Sequence, residues 1–476
     1  MLPLDGRMGN DLAIDKLGLY AFRDPLIEIV AAFFFFRQHI MDGLHLQHGV
    51  RAFQELLGKG GGGHSLQFET QNYMKNLVKI ALFALVFWAC QNNQSNNIPD
   101  PLATPWPQIE QQAKGSTVRL MMWQGDPLIN RYMSEWVVPE LKKRYGIDLN
   151  IAPGQGTEIV KILLGEKEAS KTASSLDMCW INGETFFQLR QIDALYGPFA
   201  KQLPNAQYID FQNPFIAYDF QQPVDGYECP WGNVQLCLIY DSLRTPAPPR
   251  TMQALETYVR AHPGKFTIPY EFTGMTLLKS WLIALAGGKN ALDGPFDEAK
   301  YQAVSAQLWD FINRNKAYFW RKGETFPESL AAMHQMFANG ELDFTMSNND
   351  NEVDNKIGQK IFPGSAKSFV FESGTIQNSH FLGIPAGAAN KAGAMTVINF
   401  LISPEAQLRK LTPSVWGDGT VLDIAKLPAE WKAQFENLPE RKNAPRRVEI
   451  QPFALQEPAP EYMIRLYEDF RKKVIE

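Results

Sequence analysis

The stretch Ser116–Ile151, STVRLMMWQGDPLINRYMSEWVVPELKKRYGIDLNI, decides the fold. Val118–Trp123 is a short apolar run stopped by Gln124-Gly125, the pattern of a buried strand. Asn130–Tyr145 then carries helical spacing through Tyr132, Trp136, Val137 and Leu141, and Gly146 closes it. Ile147–Ile151 alternates as a second strand. The same order repeats downstream. Gly154-Gln155-Gly156-Thr157 opens a helix that runs through Leu164, with Thr157 as its cap. Leu176–Ile181 (LDMCWI) is a third strand, and the chain is helical again from Glu184. Strand–helix–strand units at this spacing predict a mostly parallel, doubly wound sheet. Ligands of such sheets sit outside the carboxyl ends of the strands. That rule singles out Trp123, Gln124 and Gly125, then Trp180 and Asn182, and the loop Pro153–Thr157.

A second α/β unit follows. Val234–Tyr240 (VQLCLIY) is a continuous apolar strand, Thr251 caps the helix MQALETYVRAH, and Phe266–Pro269 reads as a strand. Phe272-Thr273-Gly274 opens the apolar helix MTLLKSWLIALAGG. No Pro/Ser linker separates the two units, so strands join them as a hinge. The crossings are expected near Asn233–Leu238 and Lys367–Gly383. No internal repeat of solenoid period is present.

Composition bounds the function. The 476 residues are 45% hydrophobic and 20% charged, which supports two substantial globular domains. A net charge of −5 without a basic block predicts no nucleic-acid partner. Cys90, Cys179, Cys229 and Cys237 show no CxxC or Cys/His metal spacing.

An export signature lies well inside the chain. Met74–Lys79 carries two lysines, Ile80–Cys90 (IALFALVFWAC) is wholly apolar, and Gln91–Asn97 is wholly polar. A positive region, an apolar core of roughly 7–15 residues and a small residue at the break describe a secretory signal. The apolar run falls short of the about 20 residues that a spanning helix needs. Residues 74–89 are therefore expected to be a signal peptide, and 90–115, rich in proline, a tether. Residues 1–73 hold His39, His45, His48 and His64 and a Gly60–Gly63 joint. Translation is expected to begin at Met74, which leaves 1–73 an untranslated extension; a genuine N-terminal extension is the alternative.

Ala89-Cys90 resembles the processing point of a bacterial lipoprotein, although Phe87 and Trp88 are bulkier than usual there. The resemblance implies a lipid on Cys90, membrane attachment and a periplasmic location. Further motifs, in order, resemble the type II periplasmic solute-binding proteins of ABC importers, within the polyamine/thiamine/iron cluster. They are Asp177–Gly183 (DMCWING), Pro248–Thr251 (PPRT), Asn339–Phe344 (NGELDF) and Asn390–Gln407. Glu228–Gly232 (ECPWG) and Trp416–Thr420 (WGDGT) are similar to the YnjB-type subgroup, for which thiamine has been suggested as ligand. This family implies a fold of two doubly wound lobes that close over a solute. It also implies a monomer that hands the solute to a permease and ATPase on other chains, with no cofactor and no catalytic residue. Lobe 1 is expected to comprise 116–236 and 378–476, and lobe 2 to comprise 237–377.

The expected ligand residues are Trp123, Gln124, Gly125, Trp180, Asn182, Trp231, Asn233, Phe272, Thr273, Asn348, Asn349 and Trp416. Aromatic faces attract cations by about 0.5–2 kcal/mol each, and Asp126, Glu184, Glu228, Asp350 and Asp418 lie in or near the same loops. The expected ligand is therefore a small cationic or heteroaromatic molecule, thiamine-like or a polyamine. A tryptophan in an apolar stretch is more often core than platform, and Trp281 and Trp309 are assigned to the core. The rival is a thiaminase-like enzyme on the same fold, with Cys179 or Cys229 as nucleophile and Glu184 or Glu228 as base. His262, His334 and His380 read as surface or capping residues. No metal set is expected, since iron-binding relatives use paired tyrosines and none are adjacent here. A secreted scaffold without a ligand remains the third class.

Overall fold

The protein is described here from a computed structural model covering residues 99–476. The 1–73 extension, the 74–89 signal, Cys90 and the first part of the tether lie outside the described residues. The described residues form eleven strands: β1 (Thr117–Met122), β2 (Asp148–Pro153), β3 (Met178–Ile181), β4 (Tyr218–Asp219), β5 (Gln222–Pro223), β6 (Glu228–Gln235), β7 (Cys237–Asp241), β8 (Phe344–Ser347), β9 (Ala366–Phe369), β10 (Thr375–Gly383) and β11 (Ala454–Leu455).

In the first sheet β1 lies between β2 and β3 and is parallel to both. β10 joins antiparallel to β3, and β6 pairs antiparallel with β10. Helices cross between the parallel strands, and β3, which lies inside the sheet, is apolar on both sides. On β3, Met178 faces a core with Val118 and Leu120, while Cys179 and Ile181 face another with Ile159 and Phe186. The second sheet is built the same way but with antiparallel pairs: β7 is the middle strand, flanked by β8 and β9. Leu236, Leu238 and Tyr240 face a large core that includes Trp281, Leu308 and Phe344; Cys237 and Ile239 face a smaller one with Phe337 and Val353. Trp281 and Trp309 are core residues, as their helical faces indicate.

Several local expectations shift. The helix read over 130–145 contains a π turn at Tyr132–Val137, between Pro127–Arg131 and Val138–Tyr145. Pro139 follows that turn and cannot donate to the carbonyl four residues back. Gly146, at φ 69°, does end the helix. The helix expected to be capped by Thr157 starts at Gly156, where the Gln155 N–H donates to the Glu158 carboxylate at 2.6 Å. Phe266–Pro269 is not a strand, since it pairs with neither β8 nor β9 at the edges of the second sheet. Phe266 and Ile268 are buried there without a ladder.

The tether reading is corrected over its second half. Trp106–Ala113 is a helix that packs against the helix Lys391–Leu401. Pro105 and Pro107 fall at its start, where missing N–H groups cost nothing. Ile109 and Ala113, one turn apart, are buried in the first core.

The lobes meet at strands. Only Leu236 separates β6 from β7; it is fully buried and its N–H donates to Ile376 O at 2.9 Å. The return runs from β9 to β10, and β11 pairs with the first residues of β10. The chain end departs from the 378–476 assignment to lobe 1. Tyr462, Leu466, Phe470 and Val474 pack in the core around Trp281, and Ala444 and Ile450 against Cys237 and Ile239. The helix Pro460–Phe470 presents its apolar stripe to the helix Phe272–Leu285, a tertiary partner that spacing alone does not reveal.

Ile109→Ala should destabilise the protein by about 2–5 kcal/mol, the usual loss for a buried isoleucine truncated in a core. Urea unfolding would read it, and an unchanged midpoint would mean that residues 106–113 act as a free tether in solution.

Candidate functional site

The carboxyl ends of β1 and β3, the middle of β6 and the loop after the helix Pro404–Leu411 bring four distant tryptophans together. Trp180 on β3 is the hub: its ring centroid lies 6.3 Å from Trp123, 5.2 Å from Trp231, 6.1 Å from Trp416 and 4.9 Å from His380. Strand pairing explains the cluster, because β10 places His380 opposite Gly232 on β6 and Leu382 opposite Trp180 on β3. Trp123 is 41% exposed and Trp180 half-buried, so these two rings form the accessible wall. Trp416 is nearly buried and stacks on His380 at 5.7 Å. Trp231 is fully buried and its indole N–H has no partner. It supports the wall from behind and offers no face to solvent in this conformation, contrary to its selection as a contact residue.

Two glycines permit this packing. A Cβ on Gly125 would lie 2.3 Å from the Trp123 ring, and one on Gly232 would lie 2.0 Å from Asp418 Oδ2. Asp418 sits under the wall, bonded to the buried Lys410 and 3.1 Å from His380 Nε2. Burial draws the Lys410 ammonium down to about 8 against the opposing pull of Asp418. Burial acts to raise the Asp418 carboxyl, but His380 and Lys410 together hold it below its usual range. Lys410 also donates to Gly419 O at 2.7 Å, which fixes the loop carrying Trp416.

Asparagines at the end of β8 face this loop. Asn349 and Asn355 both donate to Trp416 O, at 3.3 and 2.7 Å, and Arg447 donates to Gly417 O at 2.9 Å. Asn348 donates to Thr273 Oγ1 at 3.3 Å, which joins the start of the helix Phe272–Leu285 to the same face. Thr273 is buried and its N–H is taken by Glu271; Phe272 is half-buried. Asn233 donates to Ser379 Oγ at 3.1 Å, and Asn182 accepts from Thr185 at 3.2 Å. Gln124 contributes its carbonyl to Asn130 at 2.9 Å, and Gly125 is exposed beside Trp123.

Most of the carboxylates singled out are already neutralised. Asp126 caps the helix Pro127–Arg131 and lies 3.2 Å from Lys356, which also touches Glu352 at 3.1 Å. Asp350 binds Arg441 at 2.6 Å and Arg447 at 3.0 Å. Burial alone would raise the Asp350 carboxyl, but the two guanidinium groups outweigh it and hold it down to about 2. Glu184 is half-buried and raised by burial, and Glu228 is fully buried with neither oxygen bonded.

Cys179, Cys229 and Cys237 are buried and free of disulfides. Burial, with the Glu228 carboxylate adding to it, pushes the Cys179 thiol up to about 12; the other two are also raised. Such thiols are protonated at neutral pH and behave as small hydrophobes. His334 and His380 are buried, not surface residues, whereas His262 is exposed. The residues that sequence reasoning missed are His380, Lys356, Lys410, Arg441 and Arg447. Of these, only Lys410 lies near its partner in sequence, eight residues from Asp418; Lys356 meets Asp126 across 230 residues.

Comparison with known proteins places the chain. The family model for bacterial extracellular solute-binding proteins matches residues 136–439. Protein YnjB of Escherichia coli strain K12 is 42% identical over 330 residues, which cover 68% of this chain and 84% of that protein. Among solved structures, the TpPotD lipoprotein of Treponema pallidum superposes with a TM-score of 0.55 at 16% identity, covering 75% of this chain and 99% of that one. An ABC transporter solute-binding protein from Thermotoga lettingae, bound with α-D-tagatose, gives 0.55 at 14% identity over 76% and 93%. These two share the fold, and one of them holds a neutral sugar in it. None of the described helices is long and apolar enough to cross a membrane. On the family match and the YnjB relationship, the chain belongs to the bacterial extracellular solute-binding proteins.

Proposed function

We propose that the protein captures a small cationic or heteroaromatic solute, thiamine-like or a polyamine, against the Trp123–Trp180 wall. It then passes the solute to a permease and ATPase carried by other chains. The observation that carries this reading is the wall itself: two accessible indoles at the carboxyl ends of β1 and β3, backed by Trp231 of β6, His380 of β10 and Trp416 of the loop after the helix Pro404–Leu411. The basic side chains reaching this region, Lys356, Lys410, Arg441 and Arg447, each lie against a carboxylate, which favours a cation over an anion. The polyamine arm gains support from TpPotD, named for spermidine/putrescine-type transport in its Streptococcus pneumoniae counterpart. The same reading takes the protein to be exported, held at the membrane by a lipid on Cys90, monomeric and without turnover of its ligand.

Lobe closure is held by the contacts centred on Trp416, Asp350 and Lys356. Loosening them is the natural route for solute entry and release.

Thiamine or an amine at about 100 times its dissociation constant should add roughly 2.7 kcal/mol of stability, read as a saturable thermal shift. Trp180→Ala should weaken that binding by at least about tenfold, as expected for losing a desolvated aromatic partner. Solutes that shift Trp180→Ala as strongly as the parent would remove the wall from the mechanism. Cys179→Ser and Cys229→Ser should bind as the parent does, and a product formed from thiamine and abolished by either change would establish the enzyme instead. Acid should act through Asp350: its folded pKa is depressed, so its contribution is complete above about 3.9 and drains away as pH falls toward about 2. Asp350→Asn, weaker at neutral pH, should therefore show a flatter stability loss across that window in acid unfolding.

A further inference from the structure

A second polar centre lies one step along β10 from the wall. The β4–β5 hairpin, β10 and the turn after β11 enclose a cavity of about 10 Å³, lined by Asp219, Phe220, Gln221, Asn378, Ser379 and Glu457. Asp219 is 3% exposed and its Oδ2 has no hydrogen-bond partner. Glu457, also buried, receives Lys279 Nζ at 2.5 Å on one oxygen and Asn378 Nδ2 at 3.2 Å on the other. Glu228 lies close enough for its charge to act on Asp219, and Glu184 for its charge to act on Lys279; both Glu228 oxygens are unbonded. Lys279 is fully buried, 4.3 Å from the Phe220 ring centroid. Arg190, across the Tyr227 ring, acts on Glu228 from further away. Asp219 and Glu457 thus meet at the cavity with Lys279 bound to Glu457 alone, and a buried carboxylate without a partner is costly unless something compensates it. Burial, with the charge of Glu457 adding to it, pushes Asp219 well above the usual carboxylate range, and burial with the charge of Asp219 does the same to Glu228.

The cavity's size limits what can enter. A hole of this volume admits about one water-sized group, which an ammonium nitrogen matches and a guanidinium or ring does not. Once ionised, Asp219 and Glu457 only accept hydrogen bonds and the Phe220 face attracts cations, so the lining suits a pure donor that arrives as the Asp219 proton leaves to solvent. No group of three His, Cys, Asp or Glu side chains converges as a metal set among the described residues.

We propose that this cavity is a site for one monovalent cationic nitrogen, either a free ammonium ion or the terminal ammonium of a bound solute, held by Asp219 and Glu457 against Phe220. The site rests on its own geometry and does not require the tryptophan wall. Asn378 lines the cavity and lies two residues, roughly 7 Å, along one face of β10 from His380 of the tryptophan cluster, a span that matches a short aliphatic diamine.

Thermal unfolding of the purified protein in ammonium, sodium and tetramethylammonium chloride at equal ionic strength tests it. A free-ion site gives a saturable stabilisation by ammonium over tetramethylammonium, lost in Asp219→Asn and retained in Trp180→Ala. A site filled by the solute gives equal midpoints in the salts, with 1,4-diaminobutane bound at least tenfold tighter than 1-aminobutane by the parent and equally by Asp219→Asn. Should Asp219→Asn not fold, the parent crystallised with thallium(I) replaces it: an anomalous peak between Asp219 and Glu457 supports the site. Salt midpoints that agree combined with no preference for the diamine, a preference that survives Asp219→Asn, or a cavity holding water alone under thallium would overturn the proposal.

Discussion

Strand β10 carries the antiparallel pairing on which the rest of the molecule depends. It accepts β3 along one edge and β6 along the other, and its first residues pair with β11 where the chain leaves for its last helix. It therefore closes the first sheet and borders the crossing between the lobes. Its side chains serve both polar centres: His380 stacks in the tryptophan cluster, and Asn378 bonds Glu457 beside the acidic cavity. A shift of β10 by one residue would turn both side chains to the other face, so the register of one strand sets the geometry of the whole cleft.

Around that strand, the structure separates positioning from availability. Lys410 and Asp418, with His380 against them, form a buried polar group that holds the Trp416 loop, and Arg441, Arg447 and Asp350 do the same for the end of β8. Buried pairs of this kind add little net stability, because desolvation offsets their attraction, yet breaking one partner leaves an uncompensated charge. They fit a protein that must hold a defined closed arrangement and still open. The groups left without partners, Asp219 and Glu228, lie away from this scaffolding.

The alternating pattern from Val118 onward was enough to foresee strands β1–β3 with helices on both faces, because a period of two or of 3.6 reports burial directly. The tryptophans at strand ends were also legible, since parallel sheets expose those ends. Trp231 was misjudged because sequence gives a residue's position along a strand but not how many rings crowd over it. The helix Trp106–Ala113 was hidden by its prolines, which break helices internally but are harmless in a first turn. His380 looked ordinary for the same reason that Lys356 did: nothing adjacent announces a partner more than two hundred residues away, and even Asp418 lies thirty-eight residues beyond His380.

By itself, the sequence determined the α/β class, the two-lobed order and the family, all of which rest on local periodicity and short ordered motifs. The tertiary structure alone decided which carboxylates are spent on internal cations and which remain free, that the C-terminal helix belongs to the second core, and which indoles reach solvent. Those properties depend on contacts between residues far apart in the chain, and the burial that fixes their energies exists only once the lobes are packed.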